Sequence, residues 1–259
     1  AAAAAGNEDT PITVTQAAGI PGEAVIEAKA GEKTLTYTGS FDYGPKDDYF
    51  ADGAMNEGQW TILNEVKDPT EEEPFKYYKF EKGMGLVMPT QHNSIYQKAT
   101  PGAWSNMFTM SGGGDWEVVA KAFYPAVPQG NYQQVQFIAW QDEDNYVRIN
   151  CQDSRQRIEP FYEKAGTAVN QNGNALNNAI SAAEDGTMTM YFKINKAGNT
   201  YTITYSEDGK EWKSGGVYEA DLTNVKVAVF CTQDYQPTQS NYVEPVELAF
   251  EYVAVTGLN

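Results

Sequence analysis

The sequence contains few of the side chains on which most catalytic chemistries depend. Its 259 residues include one histidine, His92, and two cysteines, Cys151 and Cys231. A single imidazole excludes a metal site built from two histidines of one chain, and no Gly-x-Ser-x-Gly turn supplies a serine nucleophile. Neither a Cys-x-x-Cys motif nor a glycine-rich phosphate loop with its Lys and Ser or Thr is present. Triad hydrolysis, redox chemistry and phosphoryl transfer are therefore not predicted.

Positive charge is also scarce. Lys and Arg number 18 against 35 Asp and Glu, which gives a formal net charge of −17. Such a charge repels nucleic-acid backbones and anionic lipid surfaces, and no apolar run approaches the ~20 residues that span a bilayer. We therefore expect neither a nucleic-acid partner nor membrane insertion, and neutral sugars and divalent cations remain open as ligands. Surplus carboxylates commonly keep extracellular proteins soluble, which favours a secreted or cell-surface location of bacterial type.

The two cysteines each end an apolar, β-rich run. A chain of this length can bury a core without disulfides, so neither cysteine needs a structural role. They could form one bridge or remain two buried thiols, and the frequent burial of unpaired cysteine favours the thiols.

Short segments rich in Tyr, Thr and Val, separated by Gly and Pro, indicate strands throughout. We interpret residues 1–23 as a tether or tag remnant and residues 24–259 as a single domain. The segment Asn170 to Glu184 is the only helix-like candidate, and it is predicted to be an exposed loop with at most one helical turn. Ten or more strands at such short intervals predict an all-β, two-sheet antiparallel β-sandwich. The predicted strands are 24–29, 33–38, 116–123, 133–141, 146–152, 157–163, 187–195, 200–206, 225–231 and 246–255.

Four blocks of the sequence resemble a known family, the concanavalin A-like domain at the C-terminus of family 43 glycoside hydrolases such as β-xylosidases, and related carbohydrate-binding modules. The blocks are Asp48–Gly53 with Gln59-Trp60, Gly83–Pro89 with Asn93–Gln97, Asp115 through the hairpin Trp140–Arg148, and Phe250–Val255. Together they cover about residues 40–257. The resemblance implies a concanavalin A-like jelly roll that works beside a glycan-degrading enzyme. It favours xylan, arabinoxylan or arabinan as ligand, with α-glucan also open. The sequence departs from the family at Gln136, where the family usually has a small residue.

The hairpin around Asp142-Glu143-Asp144-Asn145 identifies a candidate binding surface. Because side chains alternate along a strand, Val135, Phe137 and Ala139 form an apolar face with Val147, Ile149 and Cys151. The opposite face then combines amides, aromatics and a guanidinium, which suits the apolar C–H faces and hydroxyl rims of sugars. The candidate ligand-binding residues are Trp140, Gln134, Gln136, Tyr146, Arg148 and Asn150, with Gln233 and Tyr235 extending the surface. An ordinary solvated outer sheet is the alternative.

No cofactor is required, but a structural calcium ion is conceivable because extracellular sandwiches often carry oxygen-ligand sites. The aspartates Asp42, Asp47, Asp48 and Asp52 form the best cluster, with Asp42, Asp48 and Asp52 as the candidate ligands. Glu251 would join them if the terminal strands pair.

Catalysis is not expected, since glycoside hydrolysis needs two facing carboxyl groups and no strand carries a Glu-x-Asp-x-x-Glu motif. The leading hypothesis is a non-catalytic carbohydrate-binding module that holds an associated enzyme near a plant or dietary polysaccharide. One rival is an accessory domain that packs on a catalytic module without binding sugar itself. The other is a glycoside hydrolase with an unfamiliar site.

Overall fold

The computed structural model of the protein describes residues 11–16, 22–41, 44–92, 94–97, 103–127, 132–152, 156–169, 176, 179–233, 240 and 242–257. The chain divides into two compact units, residues 1–44 and residues 45–259. The sequence had suggested a boundary near residue 24, and the division between the two compact units lies at Gly44. The reason is that residues 22–41 pair with each other and with an earlier strand, in a sheet of their own.

The first unit is a three-stranded antiparallel sheet in the order β1 (Ile12–Thr15), β2 (Gly22–Ala30) and β3 (Lys33–Phe41). The predicted hairpin between β2 and β3 is confirmed, and Gly31 turns it with a left-handed φ of 64°. β1, however, falls within the stretch that the sequence suggested was a tether. It forms a strand because Ile12 and Val14 lie opposite Ala28 and Ile26 of β2.

The second unit is an all-β sandwich of one seven-stranded and one eight-stranded sheet, as predicted. The seven-stranded sheet has the order β16-β15-β14-β9-β18-β6-β5. The eight-stranded sheet has the order β13-β12-β11-β10-β17-β8-β4, and β7 pairs in parallel with β17. The elements are β4 (Thr61–Leu63), β5 (Lys79–Glu81), β6 (Gly85–Pro89), β7 (Gln91–His92), β8 (Met107–Ser111), β9 (Trp116–Tyr124), β10 (Gln134–Asp142), β11 (Asn145–Gln152), β12 (Arg157–Lys164), β13 (Thr167–Val169), β14 (Met188–Ala197), β15 (Thr200–Ser206), β16 (Lys213–Glu219), β17 (Lys226–Gln233), β18 (Glu247–Gly257) and a 3-10 helix at Phe50–Asp52.

The main core lies between these two sheets and is built from the inward positions of alternating strands. The predicted apolar face of the β10–β11 hairpin is confirmed, because all six of its side chains belong to this core. Burial of apolar surface stabilises the fold by about 25 cal/mol per Å², and it is the main force that holds the sheets together. The other side of the eight-stranded sheet, which we call the outer face, carries a second and smaller apolar cluster.

Both cysteines are buried and neither forms a disulfide, which agrees with the thiols that the sequence favoured. Cys151 on β11 and Cys231 on β17 each lie opposite Val135 of the intervening strand β10. Two strand spacings separate them by roughly 10 Å, whereas a disulfide needs Cα atoms within about 7 Å. Burial raises the pKa of the Cys231 thiol well above its usual range, so the thiol stays protonated at neutral pH.

The helix-like segment of the sequence contains no helical turn in its described residues. Leu176 forms an isolated bridge with Ile158 at the edge of β12, and Ile180 is buried in the main core, so the segment is not simply an exposed loop. Residues 170–175, 177 and 178 lie outside the described residues. Within the described part of the chain there is also no helix with the length and apolar character to cross a bilayer.

Candidate functional site

The register of β10 and β11 brings the predicted polar side chains together on the outer face. Gln136 lies opposite Asn150, Ile138 opposite Arg148, and Trp140 opposite Tyr146. The division of the hairpin into two faces is therefore as predicted. Each of the six candidate side chains on this face is at most 2% exposed, so the face is a buried polar surface and not a solvated one.

The end of the outer face near Trp140 is filled by aromatic rings. Trp140 stacks on Tyr146 with ring centroids 5.7 Å apart, and Trp104 packs edge-on against Trp140 at 5.8 Å. The Tyr146 hydroxyl directs its one proton toward two acceptors, the Ile95 carbonyl at 3.1 Å and Glu163 Oε2 at 2.8 Å. Burial raises the pKa of Tyr146 well above 10, and the Glu163 carboxylate adds to this while Arg148 opposes it. Trp140 is 2% exposed, so a sugar could stack on it only by displacing the rings around it, and Trp140 supports the site from within.

The polar end of the outer face forms a pocket of about 110 Å³. Two tyrosines stand beside planar hydrogen-bonding groups, and the pocket also contains two guanidinium groups and one carboxylate. Its lining residues are Tyr96, Tyr132, Gln134, Arg148, Gln152, Arg157 and Glu159. Two of the predicted residues, Gln134 and Arg148, therefore lie in the pocket wall.

A chain of hydrogen bonds orients the amides of the pocket. Asn150 donates through Nδ2 to Gln134 Oε1 at 2.5 Å and to Gln152 Oε1 at 3.1 Å. Gln152 in turn donates through Nε2 to Glu159 Oε2 at 3.1 Å, and Glu159 forms an ion pair with Arg157. These bonds fix the amide planes before any ligand arrives, which lowers the ordering cost of binding.

Several buried polar atoms around the pocket have no hydrogen-bond partner. They are Gln136 Nε2, Arg148 Nε, Asn150 Oδ1 and Arg157 Nε. Most buried polar groups in folded proteins are paired, so a group of unpaired ones calls for a specific explanation such as water or a ligand. Here three are nitrogen donors and one is an oxygen acceptor, a set that complements hydroxyl and carboxylate groups.

The guanidinium of Arg148 has little negative charge against it. It donates through Nη1 to Gln136 Oε1 at 2.8 Å, and no carboxylate of the described residues comes within the 4.0 Å of an ion pair. Glu163 interacts with it at longer range, which lowers the pKa of that carboxyl, but burial dominates and the pKa of Glu163 is raised overall.

Sequence reasoning missed five of the lining residues. Gln152 continues the same alternation as Arg148 and Asn150, and Arg157 and Glu159 follow from the register of β12 against β11, so these three could have been found. Tyr96 and Tyr132 lie outside the strands, and no pattern in the sequence identifies them. Tyr132 has a φ of 65°, a left-handed conformation that is unusual for an aromatic residue and often occurs at functional sites.

The structure places Gln233, the predicted extension through β17, on a different face of the sheet. Thr232 lies opposite Gln134, so alternation directs Gln233 to the other side of the sheet. Its amide accepts a hydrogen bond from Thr90 Oγ1 at 2.9 Å and donates to the Val243 carbonyl at 3.0 Å. Tyr235 lies outside the described residues.

The aspartates proposed for calcium do not form a cluster in the described part of the chain. Asp48 Oδ2 accepts hydrogen bonds from the Trp60 indole, at 2.7 Å, and from the Asn56 amide, at 2.8 Å. Glu251 pairs with Lys121, Asp52 is exposed, and Asp42 lies outside the described residues. No group of three or more His, Cys, Asp or Glu among the described residues is placed to hold a metal. Asp48 has a structural role, and the calcium site stays a prediction.

No family model matches the chain, and no curated protein matches its sequence. Solved structures do match its fold. The family 43 glycoside hydrolase BlXynB of Bacillus licheniformis aligns with a TM-score of 0.59 and 12% identity over 96% of this chain and 55% of that one. A xylan β-1,4-xylosidase of Bacillus halodurans aligns at 0.58 and 13% over 96% and 53%. The β-glucanase of B. licheniformis aligns at 0.53 and 11% over 83% and 99%.

The chain thus has the concanavalin A-like β-sandwich fold. It spans about half the length of the first two of these enzymes. At such low identity the likeness establishes the fold alone.

Proposed function

We propose that this protein is a non-catalytic carbohydrate-binding module whose site is the pocket on the outer face. The observation that carries the proposal is the composition of that pocket, in which Tyr96 and Tyr132 lie beside the amides of Gln134 and Gln152. Tyrosine rings pack against the C–H faces of sugars while amides bond the hydroxyl rim. The fixed amide planes and the unpaired polar atoms support the same interpretation.

The role of such a module would be to hold a glycan-degrading enzyme near its substrate, which raises the effective concentration of that substrate. The fold supports this proposal, because enzymes about twice as long share it. Xylan, arabinoxylan and arabinan are the first ligands to test, followed by α-glucan. A secreted or cell-surface location follows from a polysaccharide ligand.

The site offers little support for hydrolysis. Of the described lining residues, Glu159 alone is a carboxylic acid. The next acid on the outer face of the same strand is Glu163, four residues away, which places the two Cα atoms about 13 Å apart. Catalytic carboxyl pairs stand about 5–5.5 Å apart in retaining enzymes and up to about 9.5 Å apart in inverting ones. The accessory-domain alternative rests on the fold alone and predicts no sugar binding by the isolated chain.

Isothermal titration of the full chain against soluble xylan, arabinan, β-glucan and starch fragments tests the proposal. The variants are Tyr132→Ala and Gln134→Ala, with Tyr49→Ala as the control, because Tyr49 is 54% exposed elsewhere on the second unit. We expect micromolar to millimolar binding of at least one glycan, a loss of about tenfold or more in both pocket variants, and no loss in the control.

Long incubation with the bound glycan should release no smaller sugar. Sugar release would favour the enzyme alternative. If no glycan gives a heat of binding in the titration, the accessory-domain alternative is favoured.

A further inference from the structure

The arginines of this chain are concentrated at the pocket. The whole sequence contains three, Arg148, Arg155 and Arg157, against 15 lysines. Two of the three line the pocket, and Arg155 lies outside the described residues. In a chain with a net charge of −17, placing the few guanidinium groups at one site calls for a specific function.

The pocket wall is positive although the protein is strongly negative. It contains the guanidinium groups of Arg148 and Arg157 and one carboxylate, Glu159. Glu159 pairs with Arg157, so among the described lining residues Arg148 is the charge that no carboxylate compensates. Arg148 is 2% exposed, and a buried charge with no carboxylate of the described residues at ion-pair distance is costly unless a ligand of opposite charge completes it.

The free donors have the chemistry of carboxylate recognition. Arg148 Nε and Arg157 Nε are both buried and without a hydrogen-bond partner. A guanidinium presents its N–H groups as a planar fork that matches the two oxygens of a carboxylate. The guanidinium of Arg148 packs over the ring of Phe161, whose centroid is 4.1 Å from Cζ. The orientation of the guanidinium is therefore set before a ligand binds.

The size of the pocket limits the ligand to a single sugar unit. A water molecule needs roughly 10–15 Å³ of such space. A pocket of about 110 Å³ therefore holds on the order of seven to eleven water-sized groups, which is close to one sugar ring with its substituents.

We propose that the pocket binds one uronic acid residue, as the end or the branch of an acidic polysaccharide, with its carboxylate on Arg148 and Arg157 and its ring between Tyr96 and Tyr132. This inference rests on the proposed carbohydrate-binding function and specifies the ligand of the same site. The negative charge of the remaining surface disfavours loose attraction of polyanions, so uronate binding would report on the pocket itself.

Matched sugars test the charge requirement. Tri-galacturonate and a xylotetraose with one glucuronic acid branch are each titrated into the full chain beside their carboxyl-reduced derivatives, which have the same rings and linkages without the charge. We expect at least one uronate to bind ten times or more tighter than its reduced form.

Arginine variants connect that preference to the pocket. Arg148→Gln and Arg157→Gln should each abolish the preference for the uronate. Lys164→Gln, which removes the same charge from an exposed position on β12, should keep it. If Arg148→Gln fails to fold, Arg157→Gln carries the test, because its side chain is 17% exposed.

The outcomes separate the two proposals. Equal affinity for each uronate and its reduced form, with binding retained, would overturn the uronate assignment and leave the carbohydrate-binding function standing. A preference that persists in both arginine variants would also overturn it. Failure of every neutral and acidic glycan to bind would remove both proposals together.

Discussion

The guanidinium of Arg148 lies over the ring of Phe161, with 4.1 Å between Cζ and the ring centroid. Both side chains are buried on the outer face of the eight-stranded sheet, where a cation over an aromatic ring is stabilised by about 2 kcal/mol. The contact holds a charged fork at the wall of the pocket without neutralising its charge. It thereby links the packing of β11 and β12 to ligand recognition.

Phe161→Leu is expected to weaken glycan binding while the protein stays folded. Leucine fills most of the space but lacks the ring face, so Arg148 loses its support and its defined orientation. Calorimetric titration should show a several-fold loss of affinity. Phe230→Leu is the control, because it makes the same change in the same apolar cluster next to Trp104. Equal affinity losses in the two variants would show that Arg148 is not positioned by Phe161.

Substitutions of Tyr132 should separate its effect on glycan binding from the effect of backbone strain on stability. Its left-handed φ of 65° costs a non-glycine residue about 1–2 kcal/mol, a cost that alanine shares and glycine avoids. Tyr132→Gly is therefore expected to be more stable than Tyr132→Ala by about 1 kcal/mol, and both should bind glycan equally weakly. Urea unfolding measures the first quantity and titration the second. If Tyr132→Gly is less stable than Tyr132→Ala, the backbone at this position is not strained.

Asp48 provides a test of its structural role against the calcium hypothesis. Its Oδ2 alone accepts both hydrogen bonds, and burial raises its pKa, so a neutral amide oxygen can replace it. Asp48→Ala should lose about 2–3 kcal/mol of unfolding free energy. Asp48→Asn should lose less than about 1 kcal/mol.

Chelator provides the matching control for Asp48. If Asp48 acts only within the fold, EDTA should leave the melting temperature of the wild type unchanged. A fall of several degrees in EDTA that Asp48→Asn abolishes would instead establish a calcium ligand.

The buried carboxyl of Glu163 should make stability depend on pH. Burial raises its pKa in the folded protein above the usual 4.5, so the fold favours the protonated form. Its favourable contribution is present below about pH 4.5 and is lost as the pH rises through the folded pKa. The wild type should therefore gain stability relative to Glu163→Gln between pH 7 and pH 4, as measured by urea unfolding at each pH. A constant difference between the two proteins would contradict the raised pKa.

The strands that could be predicted are those with a long alternating pattern. The two faces of the β10–β11 hairpin followed from period-2 alternation, and the structure confirms them. The short strands β4 to β7 have two to five residues each, too few for a period to emerge. Gly85 in β6 shows a further reason. A Cβ there would lie 2.2 Å from the Phe250 carbonyl oxygen, so the need for glycine depends on a contact that only the tertiary structure reveals.

The candidate site was predictable only in its strand portion. Alternation placed Gln134 and Arg148 on the outer face, but it could not show that Trp104 packs against Trp140 in an apolar cluster that includes Ile95. Those residues come from connecting segments some 40 residues earlier in the chain, and contacts at that distance leave no local pattern. Tyr96 is unpredictable for the same reason, and Tyr132 lies just before β10, outside the alternating pattern of the strand. In our proposal the rings that contact the sugar are therefore those of Tyr96 and Tyr132, and not that of the candidate Trp140.

The most direct measurement of the central claim is a nuclear magnetic resonance titration of the labelled full chain with a glycan that binds, following the side-chain amide groups. The account predicts that the signals of Gln134 and Gln152 shift saturably. Those of Gln59, which donates hydrogen bonds to the Lys46 carbonyl outside the pocket, should stay fixed. Saturable shifts confined to Gln59 or to other residues outside the pocket, with Gln134 and Gln152 unchanged, would contradict the account.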